Sequence, residues 1–345
     1  MAPEHPSTPR SDDRNDAVGV ARLDSGIPGL RVSTPAVVAD IALQGATLLA
    51  WRPRRADGTT PDDLLDGYRD PGEIAAQAGV RAGILAPFPN RIRDGLFTLA
   101  GRLHQMRPVV DGESLVFHGF ARVLPFAVAA IDSDADGVTL TLATRIAPTA
   151  FAGYPHEVAV RVSYRFAGTA TAVEIAATNL GDAPAPFAAG WHPYFRLPGR
   201  DAIDTLDLAI PSTTAVVTGD DLLPMTDTDG RVRTRPEPSF RAGRSIGDAV
   251  LDVCFTDLVA GADGRIETRL SDPACGDALT VWQERGHMHV FTGDTLGRDR
   301  RRSIALEPVE ATTDAFNRPD QLRRLLLAPG ECRRFAFGFR YAAAR

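Results

Sequence analysis

Short runs of alternating apolar and polar residues dominate this chain. Val158, Val160, Val162 and Tyr164 share one parity, with Arg161 and Arg165 on the other, the period-two pattern of a half-buried strand. Val138, Leu140 and Leu142 repeat it after the turn-forming Asp132–Gly137, so the two runs read as a hairpin. Leu279–Trp282 and Met288–Phe291 flank Arg285-Gly286 and read as a second hairpin, and Phe335, Phe337 and Phe339 alternate in a final strand over 333–341. Helical signals are weak: a short helix from Pro71 to Gln77, with proline at its first position, and a turn or two from Pro319 to Leu327. Many strands joined by Gly, Pro and Asp turns predict an all-β fold, a large antiparallel β-sandwich. Its concave face or one rim would carry a site.

Residues 1–16 are polar, proline-rich and without periodicity, which predicts a disordered tail before one domain over 17–345. A length of 345 residues with 44% hydrophobic content suits one large core. The formal net charge of -6 disfavours a nucleic-acid partner. No run of eighteen apolar residues is present, so no membrane span or membrane partner is expected. The start lacks a signal-peptide core, and the three cysteines (Cys254, Cys275, Cys332) are widely spaced. Both features lead us to expect a cytoplasmic protein. All 38 basic residues are arginine, which fits a GC-rich coding bias. The absence of lysine excludes side-chain Schiff-base chemistry and an ordinary P-loop.

Polar candidates sit in four short motifs: Asn90-Arg91-Ile92, Phe117-His118-Gly119, Trp191-His192-Pro193-Tyr194-Phe195 and Leu306-Glu307-Pro308. Glu307 lies on a strand with Ser303 and Ala305 on its own face and Ile304 and Leu306 on the other. It is either a solvated carboxylate on an open sheet face or, if that face is a pocket, a desolvated general base. His192 is either a buried, backbone-satisfied histidine or part of an aromatic-walled sugar site, in which Trp191 would pack against a pyranose. Arg91, after Pro89-Asn90, heads a predicted hairpin through Arg93-Asp94-Gly95 to Phe97, and is either a turn residue or a planar donor to hydroxyls or phosphate. Asp252, among apolar residues, needs a partner if buried. His287 and His289 alternate on one strand, but no HExxH, paired cysteines or dense acidic cluster accompanies them. No metal site is expected.

These motifs, in this order, resemble the aldose 1-epimerase (galactose mutarotase) family over about residues 35–340. Asn90-Arg91-Ile92 with Asp94-Gly95 and Phe97 is similar to the family's Asn-Arg-Ile segment. His118-Gly119 is similar to its first His-Gly, and His192-Pro193-Tyr194-Phe195 to its His-Pro-Tyr-Phe segment. Asp252 falls where the family has a substrate-binding Asp, and Glu307 where it has its catalytic Glu. The resemblance implies a mutarotase-like supersandwich that interconverts sugar anomers without a cofactor. Glu307 would be base and His192 acid, with Arg91, His118, Asp252, Asn90, Trp191 and His289 against a small-molecule sugar. Two departures stand out: His289 replaces a frequent Gln, and His118-Gly119-Phe120-Ala121-Arg122 is similar to hexose-6-phosphate mutarotases. Arg122 is thus a candidate phosphate ligand. A non-catalytic sugar-binding module and a β-sandwich metal hydrolase are the other readings.

Overall fold

The computed structural model describes residues 19–23, 25–55, 58–60 and 62–344. The expected tail over 1–16 lies outside the described residues. The period-two runs become strands whose burial alternates as their sequence does. Over Val158–Ala167 the valines, Tyr164 and Phe166 are buried, and the residues between them face outward. The ladders between named strands are antiparallel.

Two large sheets face each other. In the nine-stranded sheet, Cys332–Ala342 pairs with Ala170–Asn179 on one side and Ala278–Gln283 on the other. Val158–Ala167 and Gly137–Ile146 continue it as adjacent antiparallel strands, as their patterns predict. The eight-stranded sheet is centred on Asp252–Thr256, His287–Phe291 and Ile304–Val309, with the short strands Gly190–Trp191 and Ile84–Leu85 beyond them. A four-stranded meander over 19–53 packs alongside. One apolar cluster, from Val32 to Tyr341, fills the space between the layers. The helical signals give Pro71–Ala75, where Asp70 Oδ1 accepts from the backbone N–H groups of Gly72 and Glu73 at 2.8 and 3.0 Å, and Pro319–Leu325.

Three expectations need correction. The runs around Arg285-Gly286 do not pair with each other: Ala278–Gln283 belongs to the nine-stranded sheet and His287–Phe291 to the eight-stranded one. The chain crosses between layers there, and Gln283 Nε2 ties the bend to the carbonyls of Arg285 and His287 at 2.7 and 3.0 Å. Gly286 has φ +90, and a Cβ on it would meet the Val309 carbonyl oxygen at 2.2 Å, so the crossing requires glycine. Arg91 does not head a hairpin that reaches Phe97. Residues 93–95 form a 3-10 turn with Asp94 at φ 55, and the hairpin begins after it, pairing Leu96–Leu99 with Arg102–Gln105. Trp191 is not on an open wall. Its ring is fully buried, stacks on Phe337 and Phe339, and donates from Nε1 to the Ala82 carbonyl at 3.1 Å. An indole meets that requirement in the core, where its large apolar face is covered and its one polar atom is satisfied.

Candidate active site

Glu307 sits on a strand buried along its whole length. Ile304 and Leu306 enter the core, while Ala305 packs with Tyr194 and Leu296 at the edge of a cavity. That cavity, about 280 Å³, is lined by Glu307, His192, His118, Arg91, Asp252 and His289, together with Asn90, Tyr194, Phe117 and Phe291. Seven of the eight site residues proposed from sequence therefore converge; only Trp191 lies elsewhere.

The backbone brings them there by two routes. Strand register places His289 directly opposite Glu307 on one side and opposite Cys254 on the other, with Asp252 at the start of the neighbouring strand. Loops supply the rest. Asn90 and His118 both adopt left-handed backbone (φ 56 and 58) and lock together. The His118 N–H donates to the Asn90 carbonyl at 2.8 Å, and the Asn90 N–H donates to His118 Nδ1 at 3.2 Å. His118 Nδ1 is thereby an acceptor, which leaves the proton of the neutral ring on Nε2. Asn90 Oδ1 in turn accepts from Arg91 Nη1 at 3.0 Å. Gly119 makes the close approach possible: its φ is +64, and a Cβ there would lie 2.2 Å from the Ala86 carbonyl oxygen.

His192 Nε2 lies 3.3 Å from Glu307 Oε1. Its ring stacks on Tyr194 (centroids 4.9 Å apart) and meets His118 edge-on at 5.2 Å. Tyr194 is fixed by its hydroxyl, which donates to the Gly79 carbonyl at 3.0 Å, and by the Arg81 guanidinium 5.2 Å from its ring centroid. Arg81 pairs with buried Asp66, which Arg298 also contacts at 2.7 Å. This ionic support lies behind the cavity wall.

Burial pushes the Glu307 carboxyl up to about 8, against the opposing pull of His289. Burial, aided by the charge of His289, brings His192 down to about 3. Burial likewise holds His118 well below its ordinary value. His289 goes the other way: burial pulls it down, but Glu307, Asp252 and Cys254 together hold it well above the usual imidazole range. Burial would raise Asp252, yet its hydrogen bond from His289 holds it below the usual carboxylate value. His289 Nε2 and Asp252 Oδ1 are 2.8 Å apart.

Arg122 is fully buried, donates to both carboxylate oxygens of Glu113 at 2.8 Å, and sits 5.1 Å from the Phe117 ring centroid. It supports the aromatic wall from behind and does not line the cavity. Arg93 points to solvent beside Asp221, 3.4 Å away. Among the described residues no group of three or more His, Cys, Asp or Glu has metal-binding geometry. Other parts of the wall carry no assigned role in the sequence motifs, among them Tyr194, Thr295–Gly297 and the Gly79-Val80 segment. Tyr194 was visible inside the His-Pro-Tyr-Phe motif, and its role as a stacking platform follows from its burial beside His192. Thr295–Gly297 carries no side-chain signal and enters only through its fold position.

Such an arrangement, facing antiparallel sheets with a His–Glu pair in a polar cavity on one of them, defines a mostly-β protein of the galactose mutarotase-like fold. Solved structures share it: a galactose mutarotase-like protein from Clostridium acetobutylicum (TM-score 0.79, 15% identity, 94% of this chain and 99% of that one). Galactose 1-epimerase from Lactobacillus acidophilus NCFM matches similarly (TM-score 0.77, 16% identity, 95% and 99%). The sequence model of the aldose 1-epimerase family matches residues 30–340, and the chain belongs to that family. Among curated proteins it is similar to YihR of Escherichia coli (strain K12), 28% identical over 270 residues, covering 74% of this chain and 77% of YihR.

Proposed function

We propose that the protein is an aldose 1-epimerase that interconverts the α and β anomers of a free aldohexose. The observation that carries this reading is the 3.3 Å contact between His192 Nε2 and Glu307 Oε1 inside a cavity of about 280 Å³. Ring opening needs a base for the C1 hydroxyl proton and an acid for the ring oxygen, both within reach of one pyranose. Glu307 takes the hydroxyl proton, the C1–O5 bond breaks to leave the aldehyde, and His192 protonates O5. Rotation about C1–C2 presents the other aldehyde face. O5 then attacks C1, His192 takes back the O5 proton, and Glu307 returns its proton to the new C1 hydroxyl. No electron or proton is left over. Arg91 and the His118 Nε2–H would hold hydroxyls, and the half-buried Phe291 would pack its ring against the sugar, while Tyr194 backs the His192 ring.

The two catalytic groups share one proton. Burial favours it on Glu307 at rest, and the ring-opening form is the tautomer with it on His192. The competent free enzyme is then the one-proton state of the pair. Membership in the family and the fold shared with a galactose 1-epimerase support this reading. The enclosed ion pair of Arg122 with Glu113 favours a free sugar over a 6-phosphate, which needs several convergent donors. Polarimetry on fresh α-D-glucose, α-D-galactose and α-D-glucose 6-phosphate tests it. Accelerated mutarotation of a free hexose is expected; a higher kcat/KM for the phosphate would reverse the substrate assignment, and acceleration of none would leave a binding module.

A further inference from the structure

His289 faces Glu307 directly across a strand ladder, yet it has no part in the proton transfers above. Its Nε2 is held by Asp252 Oδ1 at 2.8 Å, and buried Cys254 stands directly opposite it on the neighbouring strand. The ring is therefore anchored to the neighbouring strand rather than offered to a ligand. The pair is also oriented. The His289 side chain is only 10% exposed, whereas that of Asp252 is 32% exposed. The positive member lies deep in the cavity wall, where little water screens it; the negative member sits nearer the mouth, where water does.

We propose that His289 is a positioning residue for the Glu307–His192 pair. Anchored by Asp252, it holds a fixed positive charge opposite the Glu307 carboxyl and so sets where that carboxyl releases its proton. The inference rests on the acid–base reading of this cavity. The titratable and charged groups facing His289 and Glu307 are Asp252 and Cys254 on one strand, His192 after Gly190–Trp191, the neutral phenol of Tyr194, and Arg91 and His118 from the two loops. Arg91 favours the ionised carboxyl as His289 does, Asp252 opposes it, and His118 and His192 are held neutral by burial. An adjacent buried cation favours a carboxylate. Its removal must make Glu307 hold its proton to higher pH.

The test is His289→Gln, which keeps a hydrogen-bonding side chain and removes the charge. The kcat/KM profile is expected to carry its alkaline limb to higher pH by roughly one unit, a tenfold change in proton affinity. The ¹³C-carboxyl titration of Glu307, read by NMR without substrate, is expected to move the same way. In the unsubstituted protein, ¹⁵N spectra at pH 7.5 are expected to show His289 protonated on both nitrogens and His118 and His192 each with one bare nitrogen. A bare nitrogen on His289, or a Glu307 titration unmoved in folded His289→Gln, overturns the proposal. If the protein accelerates no mutarotation, the functional reading falls, while the carboxyl titration still decides the role of His289. Should His289→Gln not fold, Asp252→Asn serves: His289 must then lose its proton at lower pH, and an unchanged titration counts against the anchor.

Discussion

Burial shifts Glu307 and His192 in opposite directions within a single contact. Each is stripped of water, so each resists its charged form, and the pair retains one proton over a wide pH range. The kcat/KM for a free hexose should therefore hold up to about pH 8 and fall above it, as the shared proton leaves Glu307. A profile that instead rises through pH 8 would mean that Glu307 must be ionised with His192 already neutral. Glu307→Gln keeps size and hydrogen-bonding atoms but cannot take a proton. It is expected to lower kcat/KM by about 10²–10⁴ while sugar binding, followed by calorimetry, is retained. His192→Asn should lose rate similarly, since water would have to protonate O5. Trp191 contrasts with these. Because its indole is packed on Phe337 and Phe339 and bonded to Ala82, Trp191→Phe should lower the urea midpoint with little change in KM. A large rise in KM without loss of stability would return Trp191 to the sugar wall.

At the level of elements, the site depends on a few backbone positions that only certain residues tolerate. Gly119 lets the His118 loop pass over the peptide after Ala86, and the paired left-handed residues Asn90 and His118 fix each other's backbone. Gly119→Ala is expected to cost at least about 1–2 kcal/mol from the left-handed conformation alone. The clash with the Ala86 carbonyl adds to that, so both the denaturation midpoint and kcat should drop as His118 shifts. A variant with unchanged midpoint and rate would show that this loop does not hold His118. The same logic governs Gly286, where the chain leaves one sheet for the other. The alternating runs on either side are strands, as their pattern predicts. Nothing in a period-two pattern says which strand each will pair with, and here the partners lie in different layers.

For the whole molecule, several buried or half-buried histidines tie stability to pH. His192 is brought down to about 3 by burial, and His156 and His287 to about 4, chiefly by burial. The unfolded chain binds protons at these rings near the ordinary value of about 6.5, and the folded chain does not. Their contribution is complete above that value and is lost as pH falls toward 3–4. Glu307 and His289, both raised in the fold, act with opposite sign, Glu307 between its ordinary value and about 8 and His289 above about 6.5, and the three histidines outweigh them below about 6.5. Urea midpoints are expected to decline as pH falls from about 6.5 to 4; a flat profile there would mean these rings are protonated in the fold. The sequence by itself determined the strand-rich class, the position of the two short helices and the chemical character of Arg91, His118, His192, Asp252 and Glu307. Those follow from local rules: alternation, a proline at a helix start, and motifs whose residues are adjacent in the chain. The tertiary structure alone decided that Trp191 belongs to the core, that Arg122 serves Glu113 and Phe117, and that His289 stands opposite Glu307. Each of these depends on which strands become neighbours and what excludes water from a given side chain, and both are set by contacts between residues far apart in sequence.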